Sequence, residues 1–312
     1  MGVSSIPNSY YTKFSSNMRM ALNQQGAVLL PKGMRQTGSG EMYKLDNIVG
    51  NGKVKKRTTR NADVNYDETS HDGVWVAMPG QDYDADLVDT LDKLASVIEL
   101  EGAYTKKHSG TMLRGQDGAF LGGFDGNGGF YGTMLMGKRG EVAVPFANAN
   151  IVPVTTGAVS PTGMNISKVI EARTCLVAGY VDPNQPFYMG VTADEVKDLF
   201  QQANVTSEDY QKAHSIRFSA DGKSLLGIMG FEFVEIELNN PDLPYYDLTR
   251  DANGYQKNPF WSKDGMCAVW WQETQTHLDI LPQKHHAVQV LTDQVVTSTR
   301  TDNARCGCVL NN

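Results

Sequence analysis

From Lys32 to Gly80 the chain runs for almost 50 residues with very little apolar periodicity, and this stretch constrains the fold more than any other. Gly33, Gly38, Gly40, Gly50 and Gly52 punctuate it. Tyr43, Leu45, Ile48 and Val49 start one strand, Asn51-Gly52 supplies a turn, and Val74-Trp75-Val76 ends a return strand. A segment this long that cannot bury a core is out of place inside a compact domain. It is either a disordered insert or a long hairpin that packs on something outside its own subunit. Ordering it costs conformational entropy, which burial against a partner must offset.

The charges around this stretch are segregated. Residues 1–60 hold ten Lys or Arg against Glu41 and Asp46, a net of +8, while residues 61–101 hold eleven acids against Lys93 alone, a net of −10. The remaining residues carry −5 of the overall −7. That negative total excludes a protein that coats nucleic acid with its whole surface. Two opposed blocks pair within one subunit or between neighbours; the competing reading is a solvated surface whose charges happen to be segregated. The densest basic cluster is Lys53, Lys55, Lys56 and Arg57 with Arg60. It lacks interleaved aromatics and acids follow it at once, so base stacking is not indicated. A subunit–subunit contact or a weak phosphate contact explains it equally well.

Elsewhere the periodicity is clearer. Residues 1–33 read as an arm with one short amphipathic helix, Phe14, Met18 and Leu22 falling at helical spacing. Leu87, Leu91, Leu94 and Ile98 predict a helix with Asp82, Asp84 and Asp86 at its N-terminus, where acids are favoured. The pattern continues through Tyr104, His108 and Met112 to Phe120, with a break near Glu101-Gly102. Ile166 to Val177 predicts a second helix, Phe187 to Val191 a strand, and Thr192 to Glu195 a capping box that opens a third helix. In Phe231 to Leu238 the apolar phase slips, which predicts a bulge near Phe233-Val234. Residues 239–264 read as a loop. Strands are expected at Met266–Gln272, His277–Leu281, Ala287–Leu291 and Arg305–Leu310.

No motif specifies catalysis. Phe124 to Gly132 has Tyr131 where a dinucleotide loop needs Gly, and Gly129 and Phe130 where a calcium loop needs an oxygen ligand and Gly. It reads as a flexible turn. His285 and His286, placed next to each other on a strand, point to opposite faces and cannot easily share one ligand. Cys175, Cys267, Cys306 and Cys308 are few and scattered and read as reduced structural thiols. No metal or cofactor site is expected, no secretory signal is visible, and no apolar run approaches the ~20 residues of a membrane span.

The order of these pieces resembles a phage major capsid protein of the Hong Kong 97 type. Arg114-Gly-Gln-Asp117, running to Phe120 and a Gly-rich exit, is similar to the Arg-x-x-Asp near the end of that family's spine helix. Trp270-Trp271, then His277 to Lys284, Val288 to Val290 and Thr299 to Asp302 are similar to its closing strands. The resemblance implies an α+β fold with an N-terminal arm (1–33), an extended β-hairpin loop (34–80), a peripheral domain (81–164) with a spine helix at about 100–125, an axial domain (165–275), and a return to the peripheral domain (276–312). It implies a structural, non-enzymatic subunit that self-assembles as pentamers and hexamers into an icosahedral head. It also implies packaged double-stranded DNA held by weak non-specific contact, portal and scaffolding or decoration partners, assembly in the host cytoplasm, and no membrane. The loop bases Lys53, Lys55, Lys56, Arg57 and Arg60 would then lie on a neighbouring subunit. An encapsulin-like compartment is the alternative with the same architecture. A small α+β hydrolase or carbohydrate-binding protein using His and Asp residues in 239–286 is the alternative from another class.

Overall fold

In Asp82-Tyr-Asp-Ala-Asp-Leu-Val88 the acids fall on one side and Tyr83, Ala85 and Leu87 on the other, and this period of two folds as a strand. The helix expected to begin here is thereby corrected: pairing with a later strand overrides the wider spacing that Leu87 shares with Leu91, Leu94 and Ile98. Those three residues lie outside the described ones. The computed structural model describes residues 27–49, 56, 60, 71–89, 100–123, 126–201, 217–218, 225–239, 241, 243 and 245–312.

The chain begins with β1 (Met34–Thr37), β2 (Met42–Val49), β3 (His71–Ala77) and β4 (Asp82–Val88), followed by the long helix α1 (Leu100–Gly122). Then come β5 (Met134–Gly137), β6 (Val142–Val144), β7 (Ile151–Val152), α2 (Ile166–Ala178), β8 (Phe187–Val191) and α3 (Ala193–Gln201). The last part is almost all strand: β9 (Arg217–Phe218), β10 (Leu225–Gly227), β11 (Phe231–Glu235), β12 (Gln256–Ser262), β13 (Met266–Leu281), β14 (Ala287–Arg300) and β15 (Cys306–Asn311). Two larger sheets carry the molecule, ordered β1-β13-β14-β4 and β11-β8-β12-β15-β7. A third, β2-β3-β5-β6, forms the base of the polar hairpin, and β9 and β10 pair by themselves.

The five-stranded sheet is buried on both faces, which explains why all five residues of β8 are buried. Phe187, Met189, Phe231, Phe233 and Phe260 face Val169 and Leu176 of α2 and Leu199 of α3. On the other face Tyr188, Val234 and Trp261 meet Phe120 and Leu121 of α1 and Met266, Ala268 and Val296 of the four-stranded sheet. The phase slip at Phe233-Val234 is therefore no bulge: β11 keeps an unbroken parallel register with β8, and successive residues serve two cores.

Residues 239–264 are not all loop. β12 lies at the centre of the five-stranded sheet, between β8 and β15. Pro259 disguises it, because Pro cannot donate to a ladder. Pairing with β8 starts one residue later, at Phe260 opposite Met189. The polar Asn258 is buried there because its Nδ2 donates to the Gly190 carbonyl at 3.1 Å and its Oδ1 accepts from Asn311 at 2.8 Å.

The two strands expected at Met266–Gln272 and His277–Leu281 are one, β13, with register irregularities at Trp270/Gln272 and Gln272/Gln275. The β13–β14 ladder continues into β12–β15 across a corner where Thr301 N–H donates to the Gly265 carbonyl at 2.9 Å. Residues 276–281 and 287–300 thus lie in the sheet beneath α1, while Cys306–Asn311 lie in the other sheet. His285 and His286 occupy the β13–β14 turn rather than a strand, both with positive φ (51° and 58°).

Candidate assembly surface

β2 and β3 are the described base of the polar hairpin. β2 and β3 pair antiparallel from Met42 opposite Ala77 to Val49 opposite His71. Trp75 Nε1 donates to the Gly137 carbonyl at 2.9 Å, and Lys44 sits over the Trp75 ring. Val76 packs with Cys267 and Val269, which joins the hairpin to β13. Of the basic cluster, Lys56 and Arg60 are exposed; Lys53, Lys55 and Arg57 lie outside the described residues.

The acidic strand β4 is partly spent within the subunit. Asp84 and Asp86 face α1, where Lys107 Nζ donates to Asp86 Oδ2 at 2.7 Å and buried His108 Nε2 lies 2.9 Å from the same oxygen. Burial pushes the Asp86 carboxyl up, but the hydrogen bonds from Lys107 and His108 outweigh it and hold the group below its usual range. His108 Nε2 is 3.8 Å from Asp84 Oδ1. The other face of β4 is apolar and open, with Tyr83 70% and Leu87 50% exposed. Exposed aromatic and aliphatic side chains on one sheet face mark an interaction surface more strongly than the acids do.

Near the end of α1 the Arg114/Asp117 pair has separate tasks. Asp117 is fully buried, and its carboxylate accepts from Val28 N–H at 3.1 Å and Leu29 N–H at 2.9 Å, fixing the end of the arm to the helix. Arg114 donates to Thr111 Oγ1 at 3.3 Å. Both act on Tyr245, whose hydroxyl is pushed up to about 12 by burial and by the Asp117 charge, with Arg114 opposing.

Two buried cations escaped sequence reasoning. Arg300 donates from Nε to Asn303 Oδ1 at 2.8 Å, from one terminal nitrogen to the Phe130 and Gly132 carbonyls, and from the other to Val144 at 3.3 Å. It clamps the glycine turn after α1 onto β14. That turn needs glycine: at Gly129 (φ +66°) a Cβ would lie 2.2 Å from the Gly123 nitrogen. Lys168, also fully buried, donates to the carbonyls of Thr162 (2.7 Å), Gly163 (3.0 Å) and Leu310 (2.8 Å) and to Asn311 Oδ1 (3.0 Å). The only sequence signal for either is a cation inside an otherwise apolar or β-branched run.

Among the described residues no group of three or more His, Cys, Asp or Glu is placed to hold a metal ion, and no helix is long and apolar enough to cross a membrane. Trp271 is half-buried, its Nε1 donating to the Gly40 carbonyl at 2.8 Å. What the geometry offers among the described residues is the paired base of a hairpin whose Lys56 and Arg60 are exposed, and an open apolar face on β4.

Comparison with known proteins agrees with this. A family model described as phage capsid protein matches residues 6–312. The capsid of the cyanophage P-SCSP1u superposes with a TM-score of 0.68 at 10% identity, covering 97% of this chain and 93% of that one. The capsid asymmetric unit of cyanophage Pam1 also gives 0.68 at 10% identity, with 100% and 98% covered. Mycobacterium phage Che8 gives 0.64 at 14% identity, with 97% of each chain covered. At such identities the structural likeness speaks for the fold alone. No curated protein matches the sequence.

Proposed function

Because this chain belongs to the phage capsid protein family, we propose that it is the major subunit of an icosahedral phage head, assembling as pentamers and hexamers around double-stranded DNA. The observation that carries the reading is the family match over residues 6–312 together with a fold shared end to end with capsid chains. The role is structural. In this reading α1 and the four-stranded sheet form the peripheral body, and the five-stranded sheet with α2 and α3 forms the axial body that meets its copies at the vertices. The polar hairpin is the extended loop, and Lys53, Lys55, Lys56, Arg57 and Arg60 lie against a neighbouring subunit. The overall charge of −7 fits weak, non-specific contact with the packaged DNA. Portal, scaffolding or decoration proteins complete the particle, which is built in the host cytoplasm.

Electron microscopy of the expressed chain tests the assembly, with closed megadalton particles expected. A monomer or dimer on size exclusion under every assembly condition overturns it. Particles purified from infected cells should absorb at 260 nm; protein cargo without nucleic acid would instead assign an encapsulin-like compartment.

A further inference from the structure

The register of the four-stranded sheet sets Gln275, Asp293 and Tyr83 in one row, His277, Leu291 and Ala85 in the next, and Asp279, Gln289 and Leu87 in a third. Directly opposed residues share a face, and successive residues alternate, so these rows lie on the side away from Asp84, Asp86 and α1. Nearer the corner the same side carries Cys267 and Val269, opposite Thr299 and Thr297, and there Val76 of the hairpin base covers it. Asp293 stands where that cover ends: its side chain is 8% exposed, while Tyr83 in the same row is open. Both register irregularities of β13 fall beside it, at Trp270/Gln272 and Gln272/Gln275. Such irregularities bend a ribbon and often mark a functional position.

The Asp293 carboxylate is only half used. Its Oδ2 accepts from Gln272 Nε2 at 2.9 Å and from Gln81 Nε2. Its Oδ1 is buried and has no hydrogen-bond partner among the described residues. A buried acceptor left without a donor is costly and uncommon in folded proteins. His277 Nε2 lies 3.6 Å from this oxygen, on a side chain that is 47% exposed and so open to solvent protons. That distance is too long for a hydrogen bond, but about 0.8 Å of closure reaches the length of a charge-assisted one. We infer that His277 and Asp293 form a pH-operated brace at the bend: protonated His277 donates to Asp293 Oδ1 and holds the distal half of β13 against β14, and loss of the proton releases it. The surrounding charges favour this. On β13 the neighbour of His277 on the same face is Asp279, which also attracts a proton to the ring, while Glu273 is paired with Arg35. β14 contributes Asp293, and β4 contributes no charge, because Asp82, Asp84 and Asp86 lie on its other face. On the hairpin base Lys44 sits over the Trp75 ring, and Lys284, His285 and His286 stand in the turn at the far end of the ribbon. The three rows contain no Lys or Arg, so no cation within them competes for Oδ1. Histidine is the side chain that changes charge between about pH 5 and 8. The brace is therefore closed at the acid end of that range and open at the other, whether or not the chain builds a head.

The test compares the full chain with its His277→Ala variant by amide hydrogen exchange at about pH 5 and about pH 8, read over residues 276–281 and 287–293. Taking the ratio of the two proteins at each pH removes the intrinsic pH dependence of exchange. At the acid pH the variant should exchange roughly three- to tenfold faster, the size of one charge-assisted bond to a half-exposed group. At the higher pH the two should agree. Equal ratios at both pH values, or a larger one at the higher pH, overturn the proposal. In an Asp293→Asn background His277→Ala should change nothing at either pH. An effect that survives there at acid pH gives His277 a different partner, Asp279, and overturns the brace as well. The first comparison decides by itself if circular dichroism shows that the Asp293→Asn chain does not fold.

Discussion

Asp117 accepts a hydrogen bond from the backbone N–H of Leu29 at 2.9 Å across a separation of 88 residues. The contact is buried and charge-assisted, and it ties the exit of the arm to the last turns of the long helix. Asp117→Ala would leave two backbone N–H groups without this acceptor and should cost about 2–3 kcal/mol, a fall of roughly 3–5 °C in thermal midpoint for a chain of 312 residues. Asp117→Asn retains an acceptor oxygen and should lose less than half as much. A melting curve of the Ala variant within a degree of the parent would refute the role.

Lys168 has its pKa lowered to about 8, because burial penalises the ammonium more than Asp198 and Glu195 favour it. Unfolded, the group titrates near its ordinary 10.5. Between those values the unfolded chain binds more protons, so this residue's contribution to stability rises as pH climbs from about 8 to 10.5. Lys168→Met should be destabilised at pH 7.5 by about 1–3 kcal/mol, since carbonyl acceptors lose their donor, and should lack that pH-dependent gain. Urea unfolding of both proteins across the interval checks the sign.

Arg300 spreads its guanidinium over backbone carbonyls of two segments and the Asn303 amide oxygen, which a single ammonium cannot imitate. Arg300→Lys should therefore cost about 2 kcal/mol or more. Amide exchange should accelerate at Phe130 to Thr133 and at Val144, with β8 unaffected. Uniform acceleration across the chain would mean the residue is not a local clamp.

The thiols of Cys267, Cys306 and Cys308 are pushed up to about 12, in each case chiefly by burial, and only thiolates react readily. Iodoacetamide at pH 8 on the native subunit should modify Cys175 alone, and all four after denaturation. Mass spectrometry showing two or more adducts on the folded chain would contradict this burial.

Charge reversal of Lys53, Lys55, Lys56 and Arg57 together should block particle formation while far-ultraviolet circular dichroism and the melting temperature stay unchanged. None of the four substituted residues is apolar, so the change removes no hydrophobic side chain from a core. Normal shells from this variant, seen by electron microscopy, would remove the loop from the assembly contact.

Much of the architecture could be read from local pattern. The long helix, the helices at Ile166 and Ala193 and the strand at Phe187 follow their apolar spacing, and Thr192 N–H donates to Glu195 Oε2 at 2.5 Å as the capping box requires. The failures share one cause, tertiary context outweighing local signal. Asp82, Asp84 and Asp86 look like the start of a helix until β14 pairs beside them. Pro259 hides a central strand because its missing N–H falls before pairing with β8 begins. Phe233 and Val234 look like a bulge only if a strand is assumed to serve a single core. The spacing of Arg114 and Asp117 was visible, but the partners of Asp117 lie near residue 28, which no local window reaches. Lys168 and Arg300 were invisible as buried cations because most of their acceptors are backbone carbonyls, which carry no sequence identity.

Phe120 of the long helix and Trp261 of β12 meet with ring centroids 5.1 Å apart, inside a cluster that joins the two large sheets. Close-packed interiors resist compression and pass strain onward. A load applied to either sheet therefore passes to the other through this aromatic joint. In the head proposed above, contents pressing outward would be resisted by the two sheets together rather than by either alone.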